Sequence, residues 1–222
     1  IVLDDNDELQ IVSEQIDEAF AWVAVYSSGV VSKVDTATGR EVGRYCTALS
    51  TNGTAIDPAI PEPPYGRVRG ISNICGACSS CNSGSRTAVD SAGNVYIAHR
   101  GSPSSITKIA NIERDCVDVN NNGQIDTTFD HNGNGIIDMS VSGNEQVEYL
   151  GEADECILWT RGPVDEVDGG YDSKGEDGYT ARALAIDGEG DVWLGNWADK
   201  GFWELDPITG KIKRWVYMGV NP

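Results

Sequence analysis

Three short strings in the sequence are copies of one another, and they constrain the fold more than any other feature. They are Ala21-Trp22-Val23-Ala24-Val25, Val95-Tyr96-Ile97-Ala98-His99 and Val192-Trp193-Leu194-Gly195-Asn196. Each reads apolar, aromatic, branched apolar, small, variable. Alternate residues of a strand point to opposite faces. Here both faces are apolar, so each strand belongs to a sheet covered on both sides.

The flanks repeat as well. Ala88 to Asn94 and Ala185 to Asp191 each run from a short strand into a Gly-containing hairpin turn before the second and third copies. After the three copies come Val31-Ser32-Lys33-Val34-Asp35, Ile106-Thr107-Lys108-Ile109 and Phe202-Trp203-Glu204-Leu205-Asp206. The first and third then share an Asp-x-x-Thr-Gly turn, Asp35 to Gly39 and Asp206 to Gly210. Asp and Thr side chains cap such a turn, and Gly supplies positive φ. A further strand follows, Glu41–Tyr45 in copy one and Lys211–Tyr217 in copy three. Four antiparallel strands joined by tight turns make one blade, so the expected fold is an all-β β-propeller with three four-stranded blades visible.

Trp22 to Ala24, Val31 to Gly39, Arg86 to Asp90 and Asn94 to Ala98 resemble the repeats of NHL-like and streptogramin-lyase-like propellers. The resemblance covers about half the chain. It implies a fold and leaves the activity open, because this fold hosts many functions.

The copies are spaced too widely for plain blades of roughly 42 residues, which leaves insertions of about 30 and about 55 residues. The expected organisation is a first blade with an acidic lead-in over 1–49, a Cys-rich insertion over 50–84, and a second blade over 85–111. A calcium-binding insertion over 112–155 follows, then the end of blade two, an acidic loop and blade three over 156–222. Three blades fall short of the four to eight that close a ring, and open blade faces are adhesive. Three resolutions stay open: a longer propeller of which this is part, two chains closing one ring, or neighbouring subunits covering the faces in a polymer. The segment Leu9–Val12 is expected as the innermost strand of the first blade or as a strand lent to a neighbour.

The second insertion carries the sharpest chemical signal. Asp118-Val-Asn120-Asn-Asn122-Gly123-Gln124-Ile125-Asp126 is followed by Asp130-His-Asn132-Gly-Asn134-Gly135-Ile136-Ile137-Asp138. In such a loop, oxygens at positions 1, 3 and 5 converge on a hard cation. Gly at 6 allows the turn, position 7 offers a backbone carbonyl, position 8 anchors the loop, and position 9 acts directly or through water. The candidate ligands are thus Asp118, Asn120, Asn122, Gln124 and Asp126, then Asp130, Asn132, Asn134, Ile136 and Asp138. The pattern resembles the loops of EF-hands, dockerins and thrombospondin type 3 repeats, and implies Ca²⁺. It departs from the EF-hand at position 12, where Phe129 and Val141 replace the bidentate Glu. Asp130 and Glu145 are candidates to make good the missing acid. Two Asp and two Asn per loop point to weak, extracellular-type affinity, on the order of 10⁻⁴–10⁻³ M.

Six cysteines suit a disulfide framework in an exported protein. Cys116 and Cys156 bracket the calcium insertion, and pairing them would staple its base. Cys46, Cys75, Cys78 and Cys81 fit either disulfides, with Cys46 bridging to the cluster, or a metal site of the zinc or iron–sulfur kind. Asn52-Gly53-Thr54 is a glycosylation acceptor. The expected location is extracellular or at the cell surface.

A formal charge of −19 argues against binding nucleic acid or anionic membranes, and no apolar run is long enough to insert into a bilayer. His99, Arg100, Tyr26, Asn196 and Trp197 end equivalent strands and are candidates to line one ligand patch, or are ordinary residues of hairpin mouths. Asp165, Glu166, Asp168, Asp172, Glu176 and Asp177 read as a solvated loop or a third calcium site. Streptogramin lyases use histidine and a divalent metal near the channel, and no full set of those residues matches here. No nucleophile elbow, phosphate loop or His-Glu-x-x-His is present. The sequence therefore favours a non-enzymatic scaffold in adhesion, ligand binding or extracellular, filamentous assembly. The alternative is a lyase or hydrolase at the channel mouth. Expected partners are further copies of the chain, a second polypeptide that completes the ring, or a glycan or protein ligand.

Overall fold

The computed structural model describes residues 2–3, 9–10, 19–26, 28–47, 83–100, 105–139, 148–161, 181–197 and 200–219, and the account below concerns those. They are all-β. β1 (Val2–Leu3) and β2 (Leu9–Gln10) pair with each other. β3 (Phe20–Val25), β4 (Val30–Asp35) and β5 (Glu41–Cys46) form sheet one. β6 (Gly84–Val89), β7 (Val95–His99), β8 (Ser105–Ile109) and β9 (Ile157–Arg161) form sheet two. β10 (Ala181–Ile186), β11 (Val192–Asn196), β12 (Gly201–Leu205) and β13 (Ile212–Tyr217) form sheet three. Every pairing is antiparallel between neighbours in the strand order, and β9 reaches sheet two from beyond the second insertion. Single 3-10 turns at Glu113–Asp115 and Gly151–Ala153 are the only helical elements among the described residues.

Sheet one differs from the expectation of four strands. Leu9 and Gln10 pair with Leu3 and Val2 and not with β3. A return to an immediate chain neighbour closes a short loop and costs less entropy than a distant pairing. Among the described residues sheet one therefore has three strands.

The turns repeat in atomic detail. Thr38 donates to Asp35 Oδ1 from its amide (2.8 Å) and its hydroxyl (2.9 Å), and Thr209 does the same to Asp206 (2.7 and 2.8 Å). Gly39 and Gly210 then adopt φ of +70° and +69°, where a side chain would strain the backbone. In the other hairpins Asp90 and Asp187 each accept the amide four residues on at 2.9 Å. Their second oxygens receive Tyr96 OH and Trp193 Nε1, which fixes the aromatic residue of the second and third repeats.

Sheet two lies between the other two. Val95 and Ile97 of β7 join a core with Val30, Val31 and Tyr45 of sheet one. Tyr96 and Ala98, on the other face, join a core with Val192, Leu194 and Trp203 of sheet three. These four of the five β7 residues are fully buried, and each large one contributes about 1.5–3 kcal/mol by leaving water. A lysine strut recurs across both interfaces. Lys33 Nζ donates to the carbonyl of Asn111, and Lys108 Nζ to that of Pro207 at 2.9 Å. Asn111 and Pro207 each lie two residues past the end of the third repeat strand, β8 and β12. In sheet three the strut position holds Glu204, which pairs with Lys213 and Arg214 instead.

Candidate metal centre

The second insertion stands on a disulfide. Cys116 and Cys156 are bonded, with their Cα atoms 4.4 Å apart, and Ala110 N–H donates to Cys156 O beside them. Cys46 is also disulfide-bonded. Cys75, Cys78, Cys81, Asn52, Glu145 and the acidic run from Asp165 to Asp177 lie outside the described residues, as does Val141.

Both nine-residue loops fold around the same hydrogen-bond frame. In the first, Asp118 accepts from Asn122 N (3.2 Å) and Gly123 N (2.8 Å). In the second, Asp130 accepts from Asn134 N (3.1 Å) and Gly135 N (2.8 Å). Asn120 and Asn122 direct their side-chain amides at Asp126 Oδ2, and Asn132 and Asn134 direct theirs at Asp138 Oδ2. Gly123 and Gly135 take φ of +84° and +86°, as the turn at position 6 requires. At position 8, Ile125 packs against the core and Ile137 is 1% exposed within it. Gln124 and Ile136, at position 7, are exposed.

Two buried glutamates pin these frames, and the spacing of the motif does not reveal them. Glu155 accepts from Val119 N (2.8 Å), Asn120 N (3.1 Å) and Asp126 N (2.9 Å). Glu148 accepts from Asn132 N (3.1 Å) and Asp138 N (2.8 Å). Each glutamate thus ties position 3 of its loop to position 9. The arrangement is nested: the first loop takes the more distant glutamate and the second takes the nearer. Next to them Asp154 accepts from Thr128 N, Thr127 Oγ1 and Cys156 N, while burial pushes its carboxyl above the usual aspartate value.

The described hydrogen bonds of Asp130 run to its own loop and to the β4–β5 hairpin. Asp130 receives Arg40 Nη2 at 3.3 Å. Burial opposes its ionisation, but the hydrogen bonds from Gly135, Arg40, Gly133 and Asn134 outweigh that and hold its carboxyl below the ordinary value. Arg40 also donates to Gly133 O, Glu41 N–H donates to Gly135 O, and Glu41 Oε2 accepts from Ile137 N. The second loop is therefore docked onto the β4–β5 hairpin. The first loop has no such docking among the described hydrogen bonds.

Each loop offers two carboxylates, two carboxamides and backbone carbonyls. Their oxygens are of the kind a hard divalent cation prefers, but here each carboxamide turns its NH2 to Asp126 or Asp138 and its oxygen to a backbone N–H, so each would have to turn over to complete an all-oxygen set. Among the described residues no three His, Cys, Asp or Glu side chains come together as a metal-binding group. The asparagines make up half of the candidate side-chain ligands of each loop.

The five candidate ligand residues do not share one exposed surface. His99 is fully buried and Asn196 is 2% exposed, whereas Tyr26 and Trp197 are 55% and 46% exposed and Arg100 is exposed. His99 Nε2 lies 2.7 Å from Thr47 Oγ1, and that hydroxyl donates to Gly29 O. The ring is a strut between sheets one and two. Trp197 stacks under the Arg182 guanidinium. No described helix is long and apolar enough to cross a membrane.

No protein-family profile and no curated protein sequence matches the chain. Among solved structures, it is similar to a protein of unknown function from Bacteroides caccae, at 13% identity and a TM-score of 0.37. The alignment covers 96% of this chain and 52% of that one, so the chain spans about half the length of the structure it matches.

Proposed function

We propose that the chain is a non-enzymatic β-propeller scaffold of the NHL-like or streptogramin-lyase-like kind, braced by calcium and disulfides. It works outside the cell or on its surface, in adhesion, ligand binding or assembly. The observation that carries this reading is the pair of loops with one hydrogen-bond frame, each pinned by its own buried glutamate above the Cys116–Cys156 bond. Asp118, Asn120, Asn122 and Asp126 would hold one ion, and Asp130, Asn132, Asn134 and Asp138 the other. Calcium would neutralise these loops in a chain of charge −19 and order an insertion with little apolar material of its own.

The propeller reading draws support from sheet two, which has a sheet of the same repeat against each face and the same lysine strut across each interface. The burial of His99 weighs against the lyase or hydrolase alternative, which needs that ring at a channel mouth. Native mass measurement with calcium and with EGTA tests the reading. Two ions per chain that EGTA removes, with loss of assembly or of thermal stability, are expected. A chain whose mass and melting ignore calcium overturns it.

A further inference from the structure

The two loops share a frame but not an electrostatic setting. The one cationic side chain placed against either frame in the described structure is Arg40, and it sits on the second loop alone. Its Nη2 is 3.3 Å from Asp130 Oδ2, the same oxygen that accepts Gly135 N, and it also donates to Gly133 O. A side chain on Gly135 would lie 3.2 Å from Arg40 Nε, so the guanidinium stem lies along the turn itself. The contact is fixed by its neighbour in sequence, because Glu41 exchanges hydrogen bonds with Gly135 and Ile137 and anchors the hairpin there.

Resting on the calcium reading of these loops, we propose that Arg40 sets the affinity of the second loop, as a built-in cation with which any bound metal must share the Asp130 carboxylate. A metal ion at Asp130 either repels this guanidinium or displaces it from the carboxylate. The first loop pays no such penalty, so it fills at lower calcium. The Arg40 side chain is about half exposed, and pairs of this kind are worth up to ~1 kcal/mol, which corresponds to roughly a fivefold change in dissociation constant. The effect is one of charge, and salt screens it.

The test isolates the second loop by D118N with D126N, then compares Arg40, R40Q and R40K by calorimetric titration with calcium at low and high salt. R40Q is expected to bind about fivefold more tightly than the parent at low salt, with the gap narrowing at high salt, while R40K keeps the parent affinity. Equal or weaker binding by R40Q, with calcium still bound, overturns the role of Arg40 and leaves the calcium reading standing. No calcium uptake by the unmutated chain overturns both. Circular dichroism checks that R40Q and R40K fold as the parent does, and should R40Q fail to fold, R40M replaces it as the variant without charge, with the same expected and overturning results.

Discussion

His99 Nε2 lies 2.7 Å from Thr47 Oγ1, and this bond joins the end of β7 in sheet two to the chain leaving β5 in sheet one. Thr47 Oγ1 also lies 2.9 Å from Gly29 O, and with its single proton on that carbonyl the tautomer of His99 that fits is the one protonated at Nε2. Thr47 O in turn accepts from Thr107 Oγ1, which contacts Thr160 Oγ1 at 3.0 Å. Every member of this chain is buried, so breaking it strands a polar group away from water.

Thr47→Val is accordingly expected to cost about 1–3 kcal/mol, and Thr47→Ser far less, because serine keeps the hydroxyl. His99→Ala adds a cavity and is expected to cost about 2–4 kcal/mol. Urea denaturation of the three variants checks this. A Val variant as stable as the parent would mean that the hydrogen bonds contribute nothing at the interface.

A second expectation concerns pH. Burial pushes the Lys33 ammonium down to about 8 from its ordinary 10.5. The folded chain then binds fewer protons than the unfolded chain between about 8 and 10.5, so this group makes stability rise as pH climbs through that window. Burial also raises the phenols of Tyr45, Tyr96 and Tyr149, which has the opposite sign: above the ordinary tyrosine value of 10 the unfolded chain ionises first and stability falls. Lys33→Met should flatten the rise and leave the alkaline fall in place. Thermal melts of parent and variant from pH 7 to 11 read this directly, and parallel curves would refute it.

The glutamate pins make a third expectation local. Glu155→Gln replaces one acceptor oxygen with a donor facing backbone N–H groups, at a cost of about 1–3 kcal/mol. Amide exchange at Val119, Asn120 and Asp126 should quicken while Asn132 and Asp138 stay protected. Glu148→Gln should give the reverse pattern. Exchange that spreads evenly over both loops in either variant would show that they unfold as one unit and not under separate pins.

Much of the fold was legible because its parts are local. The Asp35–Thr38 and Asp206–Thr209 turns close through side chains three residues apart, so the sequence string is itself the structure. The apolar character of both faces of Val95 to Ala98 likewise announced a sheet covered on both sides. What escaped is long-range. Nothing in the motif Asp118 to Asp126 points to Glu155, 29 residues past its end, and no shared spacing links Glu148 to the second loop. The burial of His99 was hidden because a strand-end residue has no periodic partner to betray its side. Arg40 lies 90 residues before Asp130, and only the docking of the hairpin brings them together.

The Cys116–Cys156 bond gives the last expectation. It closes a sequence separation of 40 residues, for which the chain-entropy argument gives about 4 kcal/mol. The bond also has a local consequence, because Cys116 lies two residues before Asp118 and Cys156 directly follows Glu155. Cutting it frees both the entry to the first loop and the base of its pin. Cys116→Ser with Cys156→Ser should therefore lower global stability by up to that amount and, on the calcium reading proposed above, weaken calcium binding at the first loop more than at the second, which stays anchored to the hairpin through Glu41. Calcium titration of the double variant, with one loop or the other disabled, separates the two effects. Equal weakening of both loops would mean that the bond supports the insertion as a whole and has no particular hold on the first loop.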